Sequence, residues 1–566
     1  MVRNKASIIL LPLLFIALLL STFGGCQQST EEGLSDWAGS AKVRTLYGRV
    51  QGEESGDEVM AWKGIPYAKA PVGDLRWKAP RDPDPWDGTL EANEFGSECT
   101  QYDYFGNMKG SEDCLYLNIW RPESDEDELP VYFWIHGGGN SMGAASEEGY
   151  DGANLAVNCN MVVVSVNYRL GPLGWFACEA LRSDEAGAEF DNSGNYGTLD
   201  LIKALTWVKE NIAAFGGDPG RVTVAGESAG AINIFSLLIS PQATGLFHGA
   251  IAQSGMPIAL PVEAGEESTR EVIVKLLVAD KTVLDKTAAQ TRLNQMSDDE
   301  INVYLRSKTA NQLLGAYEGT GFGMISFPFI FEDGTVIPKA GFDALETGEY
   351  PNKVPMIIGS NKEETKIFLA FAGSAFSGND ALYQKVASVT SDLWKVKGVD
   401  EMARDLREQS DQPAVYVYQF LWGAADASGT SVIPGEYGFK LGACHGMDVP
   451  FFFGNWDFFN VLSGAVFTEG NRVGREALSN DMQAYVAQFV RTGDPSPDGS
   501  GLTEWQPWSN AEGGPKCVLL NADLNTASIA MSTLELTEAD VAARIDAEVW
   551  QVIDSFSGTL PFLLGD

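Results

Sequence analysis

The feature that most restricts this chain is five residues long. Gly226-Glu227-Ser228-Ala229-Gly230 follows a β-branched run, Val222–Ala225, and leads into an apolar run, Ala231–Ile239. The two flanking runs predict a strand and a helix, so the chain must turn from one into the other around Ser228. A turn that sharp leaves little room beside the serine, and three of its four neighbours are Gly or Ala. It also requires a sheet below and a helix packed on that sheet. The first amides of the helix then face the space in front of the serine and favour negative charge there. A bare G-x-S-x-G arises by chance in many chains; the strand–turn–helix setting gives this one its weight.

A serine hydroxyl is a weak nucleophile at neutral pH and needs a base. The chain has 3 histidines, which narrows the choice. His136 opens His136-Gly137-Gly138-Gly139, directly after the predicted strand Val131–Ile135. His248, in Leu246-Phe247-His248-Gly249 just past the elbow helix, reads as a packing or capping residue. His445, in Gly442-Ala443-Cys444-His445-Gly446, comes late, after the serine and after suitable carboxylates. The order nucleophile, acid, base selects His445. The glycine run after His136 lets backbone N–H groups approach a substrate carbonyl oxygen and stabilise the oxyanion formed on it. Gly138, Gly139 and Ala229 are the expected donors. For the acid that must hold the far nitrogen of His445, three carboxylates compete. Glu363 and Glu364 are adjacent after the predicted strand Val354–Ile358, and Asp448 lies three residues past the histidine.

The runs Met161–Val166 and Ala414–Phe420 predict further buried strands. Thr198–Asn211 carries Leu201, Ala204, Leu205 and Val208, and Arg475–Arg491 carries Leu478, Met482, Tyr485, Val486 and Phe489, each a helical stripe. Strands alternating with helices imply an α/β fold, with a large, mostly parallel central sheet covered by helices on both faces. No repeat or second linker divides residues 41–566, which read as one catalytic domain. The charged, helix-prone stretch Glu263–Ala316 is expected to form a lid or wall near the site.

Met1–Gly25 stands apart. Arg3 and Lys5 precede the apolar Ile8–Leu20 and the mostly small Ser21–Gly25, a signal-peptide pattern too short for a comfortable membrane span. Gly24-Gly25-Cys26 resembles the end of a bacterial lipoprotein signal, where cleavage before the cysteine exposes it for lipidation. Phe23 departs from the usual aliphatic residue; ordinary secretion and an uncleaved anchor are the alternatives. Residues 26–40 are polar and read as a tether. Export permits disulfides among Cys99, Cys114, Cys159, Cys178, Cys444 and Cys517. Without C-x-x-C spacing and with so few histidines, a zinc site is not expected. The net charge is −38, and removing Met1–Gly25, whose only charges are Arg3 and Lys5, makes it more negative. Such a surface repels nucleic acid and anionic membranes and disfavours polyanionic substrates.

Several motifs in order resemble the type-B carboxylesterase family, which includes cholinesterases and bacterial para-nitrobenzyl esterases. Gly64-Ile65-Pro66-Tyr67-Ala68 with Pro71-Val72-Gly73-Asp74-Leu75-Arg76-Trp77 is similar to its N-terminal signature, and Glu112-Asp113-Cys114-Leu115-Tyr116-Leu117-Asn118 to its second. Asn167-Tyr168-Arg169-Leu170-Gly171-Pro172-Leu173-Gly174, Asn195-Tyr196-Gly197 and Phe215-Gly216-Gly217-Asp218-Pro219 follow before the Ser228 elbow. The likeness spans nearly the whole mature chain. It implies an α/β-hydrolase fold and hydrolysis of small neutral carboxylic esters, of short to medium acyl chain, through an acyl-enzyme. It implies no metal or organic cofactor. Asn361-Lys362-Glu363-Glu364 is similar to the family's acid loop and selects Glu364, with Thr365 where Gly is usual. The family's first disulfide falls on Cys99 and Cys114. Its second Cys pair has no counterpart in Gly255–Arg270. The short Cys99–Cys114 loop holds Tyr102, Tyr104 and Phe105 but no Trp, which argues against choline esters. Asn140 stands where an aromatic is common. Adhesion proteins of this fold lose the nucleophile, whereas Ser228, His445 and the glycine run are all present here. Amide, lactone and polyester hydrolysis share the same chemistry and stay open. The oligomeric state is not legible in the sequence.

Overall fold

The computed structural model describes residues 37–55, 58–370, 376, 378–458, 462–497 and 499–555. The export signal and Cys26 lie outside the described residues.

Eleven strands of the described residues form one sheet. In chain order they are β1 Glu53–Ser55, β2 Val59–Pro66, β3 Tyr116–Pro122, β4 Leu129–Ile135, β5 Val162–Val166 and β6 Gly217–Glu227. Then come β7 Gly249–Gln253, β8 Met356–Asn361, β9 Val415–Phe420, β10 Cys517–Ala522 and β11 Ala527–Ser532. Across the sheet the order is β11-β10-β9-β8-β7-β6-β4-β5-β3-β2-β1. From β10 to β5 every neighbouring pair is parallel. On the flanks β11 and the group β3, β2, β1 pair antiparallel.

The inner strands bury both faces, as parallel sheets do. Val131, Phe133 and Ile135 of β4 join one core with Val222 and Val224 of β6 and Ile358 of β8. The alternate residues Tyr132, Trp134, Ala225 and Ile357 join a second core on the other face. Helix α1 (Tyr196–Asn211) and helix α2 (Ala229–Ile239) cover the first face through Leu201, Leu205, Val208, Ile234, Phe235 and Leu238. Helix α3 (Arg472–Thr492) covers the second with Leu478, Met482, Tyr485, Val486 and Phe489. The mostly parallel centre of the sheet and both helical stripes are those expected; β1, β2, β3, β7, β10 and β11 correspond to none of the expected strand runs. The strand read as Val354–Ile358 begins two residues later, because Pro355 has no N–H to give to the ladder.

Many motif residues are staples of this scaffold. Arg169 Nε and Nη2 each reach a carboxylate oxygen of Asp200 on α1 at 2.7 Å. Asn195 exchanges two hydrogen bonds of 2.8 Å with the backbone of Phe331. Trp77 Nε1 donates to the Pro172 carbonyl, and Arg76 pairs with Glu112. Cys99 and Cys114 are joined in a disulfide; Cys159, Cys178, Cys444 and Cys517 are free thiols. His248 is a packing residue: its backbone N–H donates to the Val222 carbonyl, and its Nδ1 accepts from the Val222 N–H. The described residues belong to one compact unit, and none of their helices is long and apolar enough to cross a membrane.

Candidate active site

The loops after β4, β6, β7 and β8 leave the sheet at the same end, where parallel α/β sheets carry their sites. At the end of β6 the backbone passes through Ser228 with φ 58° and ψ −122°, a conformation that strains a side-chain-bearing residue. The two glycines of the motif are small for lack of space. A Cβ on Gly230 would sit 2.1 Å from the Ile135 carbonyl oxygen, and one on Gly226 would sit 2.7 Å from it. The elbow is thus clamped against the end of β4. The Ser228 N–H donates to the Gln253 carbonyl. Ser228 is part-exposed, and its hydroxyl makes no hydrogen bond to another described residue.

The end of β4 carries the glycine run. Gly138 has φ +98°, and a Cβ there would lie 2.3 Å from the Met142 carbonyl oxygen, so only glycine fits. A Cβ on Gly137 would approach Ser228 Cβ to 3.1 Å, which places the run beside the elbow. None of the Gly138, Gly139 and Ala229 amides donates to another described residue. The loop is held from several sides. Gln101, inside the disulfide loop, accepts from the Gly143 N–H at 2.8 Å and donates to the Gly143 carbonyl at 2.9 Å. Tyr168 donates its hydroxyl to the His136 carbonyl and stacks on the His136 ring. Burial pushes the His136 pKa down to about 4, so this ring is a neutral structural group. After Glu263–Ala316, which folds into a long helix, Val262–Ala279, and three shorter ones, the hairpin Glu318–Gly321/Met324–Ser326 reaches the loop. Its Ile325 N–H donates to Ser141 Oγ.

His445 stands between two carboxylates. Its Nδ1 is 2.6 Å from Glu364 Oε2. Its Nε2 points to the elbow, where Glu227 Oε1 lies 3.0 Å away without hydrogen-bond alignment. Glu364 is fully buried, and its other oxygen accepts from Ser254 Oγ at 2.5 Å and from the Asn361 N–H at 2.6 Å. The competing acids point elsewhere. Glu363 pairs with Lys366 at 2.8 Å and accepts from the Ala443 N–H. Asp448 accepts from Tyr418 Oη at 2.5 Å and Asn361 Nδ2 at 3.1 Å, and burial raises its pKa to about 6. Thr365, at the position where glycine was expected, docks its hydroxyl on Thr390 and Ser391. Burial works against a charged His445, yet Glu227 and Glu364 outweigh it and raise the ring's pKa to about 9. Burial likewise raises Glu227 to about 8, against the pull of His445.

An apolar wall stands over the histidine. The Trp394 and Phe368 ring centroids are 4.8 and 5.4 Å from that of His445, and Trp394 packs with Met256, Ile258 and Leu393. Trp394 Nε1 donates to the Ser254 carbonyl. Sequence reasoning gave no role to Glu227 or Asn361, though both lie in its motifs, and passed over Ser254 and Gln101. Glu227 had a signal, a carboxylate directly before the serine. Ser254 had none, because Gly249–Gln253 (GAIAQ) lacks the β-branched content that marks a strand.

A parallel sheet that ends in such an elbow, with a paired histidine arriving from a later loop, defines the α/β-hydrolase fold with serine-hydrolase chemistry. The model of the carboxylesterase family matches residues 39–381 and 374–530. The chain belongs to the carboxylesterase family and is a carboxylic ester hydrolase. It is 35% identical over 480 residues to the para-nitrobenzyl esterase of Bacillus subtilis, covering 80% of this chain and 90% of that one. It is 31% identical over 522 residues to liver carboxylesterase 1 of Oryctolagus cuniculus, covering 83% and 88%. Among solved structures, a carboxylesterase of Geobacillus stearothermophilus superposes with a TM-score of 0.66 at 30% identity, over 89% of this chain and 100% of that one.

Proposed function

We propose that the chain hydrolyses neutral carboxylic esters of short to medium acyl chain, with Ser228 as nucleophile, His445 as base and Glu364 as the acid behind it. The observation that carries this reading is the span of His445, with Nδ1 on Glu364 and Nε2 turned to the serine elbow. As Ser228 Oγ adds to the ester carbonyl carbon, His445 Nε2 takes its proton. The carbonyl oxygen becomes an oxyanion facing the free amides of Gly138, Gly139 and Ala229. Collapse expels the alcohol, which takes the proton from Nε2. Water then adds to the acyl-serine by the same route and releases the acid. The aromatic wall beside His445 favours uncharged groups next to the histidine, and the acid-rich chain disfavours anionic substrates.

Para-nitrophenyl esters of rising chain length, run beside an aryl amide and an anionic ester, test the substrate class. Turnover should be highest on short to medium acyl groups and weak on the anionic ester. Interfacial activation on long-chain triglyceride emulsions would contradict this.

The base works only when neutral, so kcat/KM rises with pH through the His445 pKa. Glu227 raises that pKa, so Glu227→Gln should lower it and move the rising limb toward acid, by about one unit. A limb that stays put, or moves toward alkali, rules out this role for Glu227.

We further propose that Met1–Gly25 is an export signal, 26–40 a tether and 41–566 the catalytic domain, held to a bacterial membrane by lipid on Cys26. The wild type should then sediment with membranes, and Cys26→Ser should release it or block its processing. A freely soluble wild type would reject the anchor.

A further inference from the structure

The three amides expected to receive the oxyanion come from two separate segments. Gly138 and Gly139 lie on the loop after β4, and Ala229 opens helix α2. Donors must be placed within a few tenths of an ångström to serve one oxygen, so something has to fix the loop against the helix. The structure offers one buried side-chain bond between these segments next to the amides. Asn233 Nδ2 donates to Asn140 Oδ1 at 2.9 Å. Asn140 directly follows Gly139, and Asn233 lies one helical turn after Ala229, on the same face of α2. Both side chains are completely buried. The Asn140 backbone is left-handed, with φ 54°, and its carbonyl accepts from the Gly171 N–H at 2.7 Å. The bond therefore ties the residue after one donor to the residue beneath another.

The pair is a poor device for stability. Asn140 Nδ2 and Asn233 Oδ1 are both buried without a hydrogen-bond partner. A half-satisfied polar pair in an apolar helix such as Ala229–Ile239 is worse for stability than two apolar side chains of similar volume. What it supplies is direction: an amide pair holds one geometry, where apolar side chains would slide.

We propose that Asn140 and Asn233 are positioning residues that set the spacing between the Gly138–Gly139 amides and the Ala229 amide; this rests on the reading of those amides as the oxyanion donors. The test uses the full chain and three variants: Asn233→Ala, Asn140→Gly, which keeps the left-handed backbone accessible, and the double variant. Activity on para-nitrophenyl acetate is expressed per active site, counted by an organophosphate end-point titration. Inhibition by a trifluoromethyl ketone, whose hemiketal oxyanion occupies the donors, is measured beside that by the matching methyl ketone. Each single variant should lose about tenfold or more in kcat, with KM within about threefold. Trifluoromethyl ketone affinity should weaken in the same proportion, and methyl ketone affinity should hold. The double variant should be no worse than the worse single one, because one bond is lost once. A kcat within about twofold of wild type overturns the proposal, with or without a lower Tm. So does a fall in kcat with unchanged trifluoromethyl ketone affinity. Failure of the underlying reading shows in the wild type itself: a crystal structure of the trifluoromethyl ketone adduct would then place its hemiketal oxygen beyond hydrogen-bond reach of the Gly138, Gly139 and Ala229 amides, which overturns both.

Discussion

Ser228→Ala is expected to abolish turnover, on the order of 10⁶-fold, while leaving the fold and its Tm unchanged. The size follows from the route. Without Oγ no acyl-enzyme forms, and only the amides and substrate binding remain to favour direct attack by water. The unchanged stability follows from the local structure. Alanine and serine meet the same backbone strain at φ 58°, and the hydroxyl makes no hydrogen bond to another described residue. Nothing is removed except the nucleophile, so the stability change should stay within about 0.5 kcal/mol. An organophosphate should add to Ser228 alone, read by mass spectrometry of the digested protein. Retained turnover, or label on another serine, would remove Ser228 from its role.

The legible part of the molecule was the part governed by local rules. The elbow declares itself because Gly226 and Gly230 abut the Ile135 carbonyl, and a steric demand of that kind selects residue types in one short stretch. The inner strands with β-branched runs, such as Val162–Val166, were equally plain. Strands and contacts that depend on distant partners were not. Gly249–Gln253 becomes a strand because two longer strands flank it, and Ser254 reaches Glu364 only through that pairing. Gln101 grips Gly143 across 42 residues, and no spacing rule connects the two. Asn140 was visible as a departure from the family, but its partner Asn233 emerges only when the helix is laid beside the loop.

Glu364→Gln and Glu363→Gln should part company, one in activity and the other in stability. Neighbours in a loop send their side chains different ways, and here the divergence is complete. Glu364 Oε2 meets His445 Nδ1 at 2.6 Å, while Glu363 turns to Lys366 and the Ala443 N–H. A glutamine at 364 loses the charge that balances the imidazolium. It can also present its NH₂ to Nδ1, which holds the ring in the tautomer that cannot take a proton from Ser228. A triad frozen in that tautomer loses about 10⁴-fold in kcat, and Ser254 Oγ and the Asn361 N–H do not restore it, since they serve the other oxygen. A glutamine at 363 leaves the histidine untouched but weakens the partner of a Lys366 whose side chain is only 1% exposed. Stability should fall by about 1–3 kcal/mol, with turnover per folded molecule within a few-fold of wild type. Steady-state kinetics and thermal melts on both variants separate the two effects. If Glu363→Gln costs the turnover and Glu364→Gln spares it, Glu363 is the acid behind His445.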